Sequence, residues 1–391
     1  MRKKLAIVVQ RYGTHIIGGA EAHAATLAQL LSRSDFEIEI LTTTSKSYQK
    51  WANDLPEGKE VINQFTSVRR FLVLKKSRLI FAFYKRLHLH VFSRLFKKSK
   101  YLNYLSEKIW LVLQGPYSPN LIKHLKKNSK EYDAIIFFSY LYYTTVFGLA
   151  STECKTILIP TAHDELPLHF DIMKKMFTKA EYIFANSKAE KRLLSHIQAE
   201  ITDKISVVGI PVANIEKNPT LSESGRGNYF LYLGRISRGK NSNLLIEYFK
   251  KWVISRKSSV KLVLAGLMEE SFELSEAVIF KGAVDENEKN NLIESSLGLI
   301  NPSSLESLSL VTLEGMSSKK PVIINGASEV LRDYASKFPS VIAFYNYSDF
   351  AEALDKAIAG FTNSELDSAK DWVQKQYSED VIFNFYRNVL K

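Results

Sequence analysis

Two glutamates, Glu306 and Glu314, bracket the stretch ESLSLVTLE. A helix beginning around Leu308 to Leu310 leaves Glu306 in the loop ahead of it and sets Glu314 in its second turn. The amides of Leu308, Ser309 and Leu310 then stand free at the positive end of the helix, suited to phosphate or sugar oxygens. Position alone equally fits a capping acid and a solvated helix face. A second group lies upstream, where Gly234 and Arg235 end an apolar run and Lys240 follows in GRISRGK. Arg can grip two oxygens at once and Lys acts as a point charge, a pairing that suits a diphosphate, although loop cations are often only solvated. Near the start, Gly18 and Gly19 precede the helical stretch AEAHAATLAQLLSR. They form either an ordinary turn or a bare backbone approach to an anion. The string HIIGGAEA lacks the third glycine of G-x-G-x-x-G and nothing matches a P-loop, so nicotinamide and ATP readings lose ground. His163 stands in TAHDELPLHF beside Asp164 and Glu165. His15, His23 and His169 make no compact ligand spacing and there is no D-x-D pair, so no metal or other cofactor is expected.

These groups share one address, the ends of short β-rich runs. The runs are 5–10, 36–43, 134–139, 156–161, 182–187 and 205–210 in the first half, then 229–235, 260–266, 277–283, 298–303, 321–325 and 340–345. Helical stretches separate most of them, the rhythm of parallel sheets covered by helices. The segment 212–228 lacks periodicity and collects Pro, Ser, Gly and Asn, as a linker does. The expected α/β architecture is therefore two Rossmann-like, doubly wound domains facing across a cleft, 1–211 and 229–370 with the linker between. A long C-terminal helix, 371–391, follows. Ligands of such sheets sit beyond the carboxyl ends of the strands.

A chain of 391 residues suits two domains, and 46% hydrophobic with 24% charged residues is a globular composition. The apolar run after MRKK is cut short by Gln10 to Tyr12 and reads as a strand, not a signal peptide. No stretch approaches the ~20 apolar residues of a membrane span. One cysteine, Cys154, excludes an internal disulfide and mildly favours a reducing compartment. The net charge of +12 is concentrated: residues 69–130 hold 16 Lys and Arg against the single acid Glu107, and the remainder of the chain balances near −3. In this basic region Ile80, Tyr84, Leu87, Val91 and Leu95 fall near one helical face, with Arg86 and Lys97 opposite. That is either a helix lying on an anionic membrane or a core-facing helix with a solvated basic side.

Taken together, the GG loop, TAHDE, GRISRGK and above all PSSLESLSLVTLEGMSSKKPVI resemble the retaining nucleotide-sugar glycosyltransferases of family 4, which have the GT-B fold. The resemblance runs along nearly the whole chain. It implies that Glu314 holds the ribose hydroxyls, that Arg235 and Lys240 hold the diphosphate, and that the amides of 308–310 hold phosphate and donor sugar. It also implies Glu306 by the sugar, His163 approaching it from the first domain, Gly18 and Gly19 over the phosphates, the base near Gly266 and Ala283–Val284, and the C-terminal helix 371–391 crossing back onto the first domain. Ser307 and Ser309 replace the glycines of the usual E-G-F-G string, and a side chain at Ser309 is expected to narrow the donor site. The implied partners are a nucleotide sugar, a saccharide acceptor in polyprenyl-diphosphate-linked form, and an anionic membrane surface met by 69–130, on the cytoplasmic face of the membrane. Rival readings are a nucleotide-sugar epimerase or phosphorylase and a basic nucleic-acid-binding protein. The last gives no reason for the strand-end set.

Overall fold

A computed structural model describes residues 2–390 apart from 14, 15, 17, 34, 75, 76, 89, 91–98 and 213–226. Most of the expected linker and His15, Val91, Leu95 and Lys97 lie outside the described residues. The chain divides into two compact units: residues up to Ile210 together with Phe383 onward, and Pro211–Ile382.

Unit 1 is built on an eight-stranded sheet: β1 (Lys3–Val8), β2 (Phe36–Thr43), β3 (Gly58–Asn63), β4 (Thr66–Phe71), β5 (Ala134–Phe138), β6 (Lys155–Ile159), β7 (Tyr182–Ala185) and β8 (Ile205–Val207). The spatial order is β3-β4-β2-β1-β5-β6-β7-β8, parallel except for β3, which runs antiparallel to β4. Strands such as AIIFF in β5 are buried at every residue, as apolar runs covered on both faces should be. The order reverses between β1 and β5. Unit 2 repeats the scheme with six strands: β9 (Tyr229–Leu233), β10 (Lys261–Ala265), β11 (Val278–Gly282), β12 (Gly298–Asn301), β13 (Val322–Asn325) and β14 (Val341–Phe344), ordered β11-β10-β9-β12-β13-β14 and parallel throughout. Its reversal falls between β9 and β12, which puts the loops after Leu233 and Asn301 on the two sides of one crevice. Each unit has its own apolar core, around Trp110, Phe137 and Phe177 in unit 1 and Phe230, Phe249, Trp252 and Phe350 in unit 2.

Three sequence expectations need correction. The strands β3 and β4 were not anticipated. All six residues of β3, GKEVIN, are exposed, and TSVRRF in β4 carries two arginines, so neither shows an apolar run. The C-terminal stretch is two helices, Asn363–Tyr377 and Glu379–Leu390, broken where Ser378 turns extended at ψ 154°. Its last residues pack on unit 1, where Lys3 Nζ donates to the Leu390 carbonyl (2.7 Å), Lys155 Nζ to that of Val389 (3.0 Å), and Phe385 meets Phe184. The crossover to unit 1 is therefore at Phe383, later than a boundary at 371. In the basic region, the helix Arg78–Leu87 turns Phe81 and Tyr84 inward and presents Leu79 (83% exposed), Ile80 and Phe83 (69%) outward. The outward face is thus displaced from the expected row of Ile80, Tyr84 and Leu87. Among the described residues no helix is long and apolar enough to cross a membrane.

Candidate active site

The crevice of unit 2 is lined first by bare backbone. Gly234 and Gly266, at the ends of β9 and β10, have φ of +139° and +142°. A Cβ on Gly266 would stand 1.9 Å from the Gly234 carbonyl oxygen, so the two strand ends touch main chain to main chain. Gly266 N donates to Gly282 O (2.7 Å), extending this surface to the end of β11, where half-buried Val284 follows. Such a ledge can lie against a flat ring.

The cations stand next to it, and each is already paired. Arg235 Nη1 reaches Glu269 Oε1 at 3.4 Å, and Lys240 Nζ donates to Glu306 Oε1 at 2.8 Å and to Ser303 Oγ at 3.5 Å. Glu306 therefore touches Lys240 directly, a contact that the spacing of the motif did not reveal. Both cations keep capacity for a ligand, because a guanidinium carries five N–H donors and an ammonium three. The loop that carries Glu306 is pinned by amides and one phenol: Asn241 and Asn325 Nδ2 donate to Pro302 O (3.0 and 2.9 Å), and Tyr334 Oη donates to Leu308 O (2.9 Å). Asn241 has left-handed backbone geometry, φ 57°, which asparagine tolerates at modest cost.

The helix after the loop runs Leu310–Ser317, with Ser309 as its N-cap at φ 67°. Ser309 Oγ accepts from Asn301 Nδ2 (2.7 Å) and pairs with Thr312 Oγ1 (2.8 Å), all three residues being buried. The hydroxyl expected to narrow the donor site is thus tied to Asn301 and Thr312, whose bonds offset the ~1 kcal/mol or more that left-handed geometry costs a non-glycine residue. Glu314 lies in the second turn, as expected, but buried and not solvated. Its Oε1 accepts from Lys289 Nζ at 2.6 Å. Burial pushes its carboxyl above the usual range, and Lys289 acts against that rise. Lys289 escaped the sequence reading because a lysine in a polar helical run, ENEKNNLIES, carries no signal of what it faces.

In unit 1 the glycine pair opens the helix Gly19–Ser32. Gly18 is extended, and a Cβ there would meet Glu21 Oε2 at 2.1 Å, whereas Gly19 has open space. The glycine makes room for a buried ion pair, Arg11 Nε and Nη2 to Glu21 Oε1 at 2.9 Å, with Arg11 stacked 3.3 Å from the Tyr48 ring centroid. Beside it a cavity of about 760 Å³ is bounded by Tyr12, Ile16, Ala25, Leu55, Lys59 and Arg70. His163 stands in the loop after β6. The preceding residue, Ala162, gives its N–H to Glu190, which also accepts from Asn186 N at 2.7 Å, so one buried carboxyl group ties two strand-end loops together.

Comparison with known proteins fits this geometry. Chains of the same architecture include a sucrose-phosphate synthase from Thermosynechococcus elongatus (12% identity, 99% of both chains, TM-score 0.69) and HepE from Anabaena in complex with UDP and glucose (14% identity, 100% of this chain and 99% of that one, TM-score 0.66). The fold is GT-B, two Rossmann-like domains. Residues 214–378, nearly all of unit 2, match the family model of the group 1 glycosyl transferases. An alpha-monoglucosyldiacylglycerol synthase of Streptococcus pneumoniae is 26% identical over 196 residues, 45% of this chain and 44% of that protein's length. These matches support a glycosyltransferase of the family 4 type.

Proposed function

We propose that the chain is a retaining glycosyltransferase that moves a hexose-type sugar from a nucleotide diphosphate to a hydroxyl of a lipid-linked saccharide acceptor, in assembly of a bacterial-type surface polysaccharide or glycoconjugate. The observation that carries this reading is the crevice of unit 2. A glycine ledge, two partly engaged cations, a pinned loop with a helix start and a buried carboxylate follow one another at a single topological reversal. The base would lie along Gly266 and Val284 and the ribose at Glu314. The diphosphate would take Arg235, Lys240 and the amides of Leu308, Ser309 and Leu310. Glu306 would stand by the sugar. As the anomeric bond breaks, negative charge grows on the leaving phosphate, and fixed cations and amides stabilise it, each good donor being worth about 3 kcal/mol. The incoming hydroxyl attacks from the leaving-group side and the phosphate itself helps take its proton, so no enzymic nucleophile and no metal are assigned.

The matched glycolipid synthase and the outward face of the helix Arg78–Leu87 support a membrane-borne acceptor, with the protein on the cytoplasmic face. Leu79, Ile80 and Phe83 are flanked on that helix by Arg78, Lys85 and Arg86, the mixture that holds a helix at an anionic interface. We expect flotation with phosphatidylglycerol vesicles at low salt and its loss in Phe83→Asp. Retention of that variant on vesicles would refute the surface.

The central test is a thermal-shift screen with UDP, GDP, ADP and CMP, followed by turnover of Lys240→Ala on the matching sugar nucleotide. A fall of roughly 100-fold is expected from loss of one transition-state contact. A change below about twofold would remove the diphosphate role. Epimerised donor without transfer would instead favour the epimerase.

A further inference from the structure

Glu314 raises a problem that the proposed function leaves open. It sits in a helix whose neighbouring residues Thr312 and Leu313 have no exposure at all, and an unpaired carboxylate in such a place is costly. The structure answers it with one residue from a different helix. Lys289 stands in the second turn of Glu286–Ser295, and its ammonium lies 2.6 Å from Glu314 Oε1 and 2.6 Å from Glu286 Oε1. Glu286 is the other acid facing the ammonium and is largely exposed. Among the described residues Glu314 Oε2 accepts no hydrogen bond, so the pair divides the carboxylate into an oxygen already held and an oxygen left for a ligand.

We infer that Lys289 is a positioning residue for nucleotide recognition: its ammonium holds one oxygen of Glu314 so that the other accepts the ribose hydroxyls. The inference rests on the reading of unit 2 as a nucleotide site and adds what that reading lacks, a reason for a buried glutamate to stay an acceptor. A carboxylate accepts from a diol, while a protonated carboxyl spends one oxygen as a donor and loses part of that capacity. Burial already pushes Glu314 upward, and Lys289 is the group that opposes it. Lys289 itself is held charged by Glu314 and Glu286 against its own burial. Its place five residues after Val284 sets it within the same helix-and-loop unit that the base would touch, so recognition of base and ribose would be mechanically joined.

The test uses the full chain and titration calorimetry with UDP, GDP, ADP and CMP, then with the 2′,3′-dideoxy counterpart of whichever binds. Wild type is expected to prefer the ribonucleotide by ~10-fold or more, the loss of hydrogen bonds to a charged group. In Lys289→Met the preference should fall below about threefold at pH 7 and rise again with increasing pH as Glu314 ionises. Lys289→Arg should keep it, and Glu314→Gln should abolish both the preference and its pH dependence. Should the methionine variant fail to fold, as judged by tryptophan fluorescence, Lys289→Gln gives the same comparison. A wild-type preference that is unchanged and flat with pH in the folded variant overturns the inference, leaving the nucleotide site intact. Absence of any nucleotide binding to wild type overturns the site reading and the inference with it.

Discussion

The two units use the same doubly wound scheme and treat its crevice in opposite ways. In unit 2 the strand ends at the reversal are main chain: Gly234 against Gly266, with side chains arriving only as ion pairs that keep donors to spare. In unit 1 the corresponding turn after β1 is filled from within, since Gly18 gives its space to the Arg11–Glu21 pair and Tyr48 closes over it. Topology offers a crevice in both cases, and the residues placed there decide how it is lined. The open volume of unit 1 runs from this turn, at Tyr12, Ile16 and Glu21, to Leu55, Lys59 and Arg70.

The contrast can be broken at its strongest point with Gly266→Ala. The added methyl would meet the Gly234 carbonyl at 1.9 Å in a backbone region that alanine avoids. The expected loss is about 4 kcal/mol or more, the range of a severe steric change. Tryptophans report the units separately, Trp51 and Trp110 in unit 1, Trp252 and Trp372 in unit 2. Fluorine NMR of labelled tryptophan should therefore show the unit 2 signals collapse first. An unperturbed unit 2 would deny the ledge its importance.

Glu21→Gln probes the other side. It leaves Arg11, itself 5% exposed, without its carboxylate, and breaking a buried pair costs roughly 3 to 5 kcal/mol. The unit 1 signals should melt earlier in urea while nucleotide affinity changes less than about twofold. A lost affinity would instead make Glu21 part of the donor site.

The smallest effect separates two buried glutamates. Burial pushes Glu190 up to about 8, against the N–H groups of Ala162 and Asn186. The folded chain then holds a proton that the unfolded chain releases, so this group's contribution to stability falls as pH rises from the ordinary carboxyl range, near 4.5, through 8. Denaturation at pH 5 and pH 8 should show a steeper decline for wild type than for Glu190→Gln. Glu314, with an ammonium beside it, should show a shallower one. Parallel profiles for Glu190→Gln and wild type would mean that Glu190 stays ionised.

How much of this was legible follows from what leaves a trace in one sequence. All twelve apolar runs became strands, most of them buried on both faces and so written as continuous runs, although β11 is largely exposed. Glu306, Glu314, Arg235 and Lys240 were singled out because GRISRGK and ESLSLVTLE each follow an apolar run. The exposed β3 was invisible for the opposite reason, having no buried face to write. Partners across space left nothing to read: Lys289 comes from a helix 25 positions before Glu314, and Tyr334 holds Leu308 from 26 positions beyond. Ser309 was noticed as a departure, and its bonds to Asn301 and Thr312 needed coordinates.

The return of the last helix to unit 1 makes unit 2 an insertion. The chain leaves unit 1 after Ile210 and re-enters it at Phe383, inside the helix Glu379–Leu390, so unit 2 is tethered at both ends. A single cut in either tether would leave the two halves covalently joined.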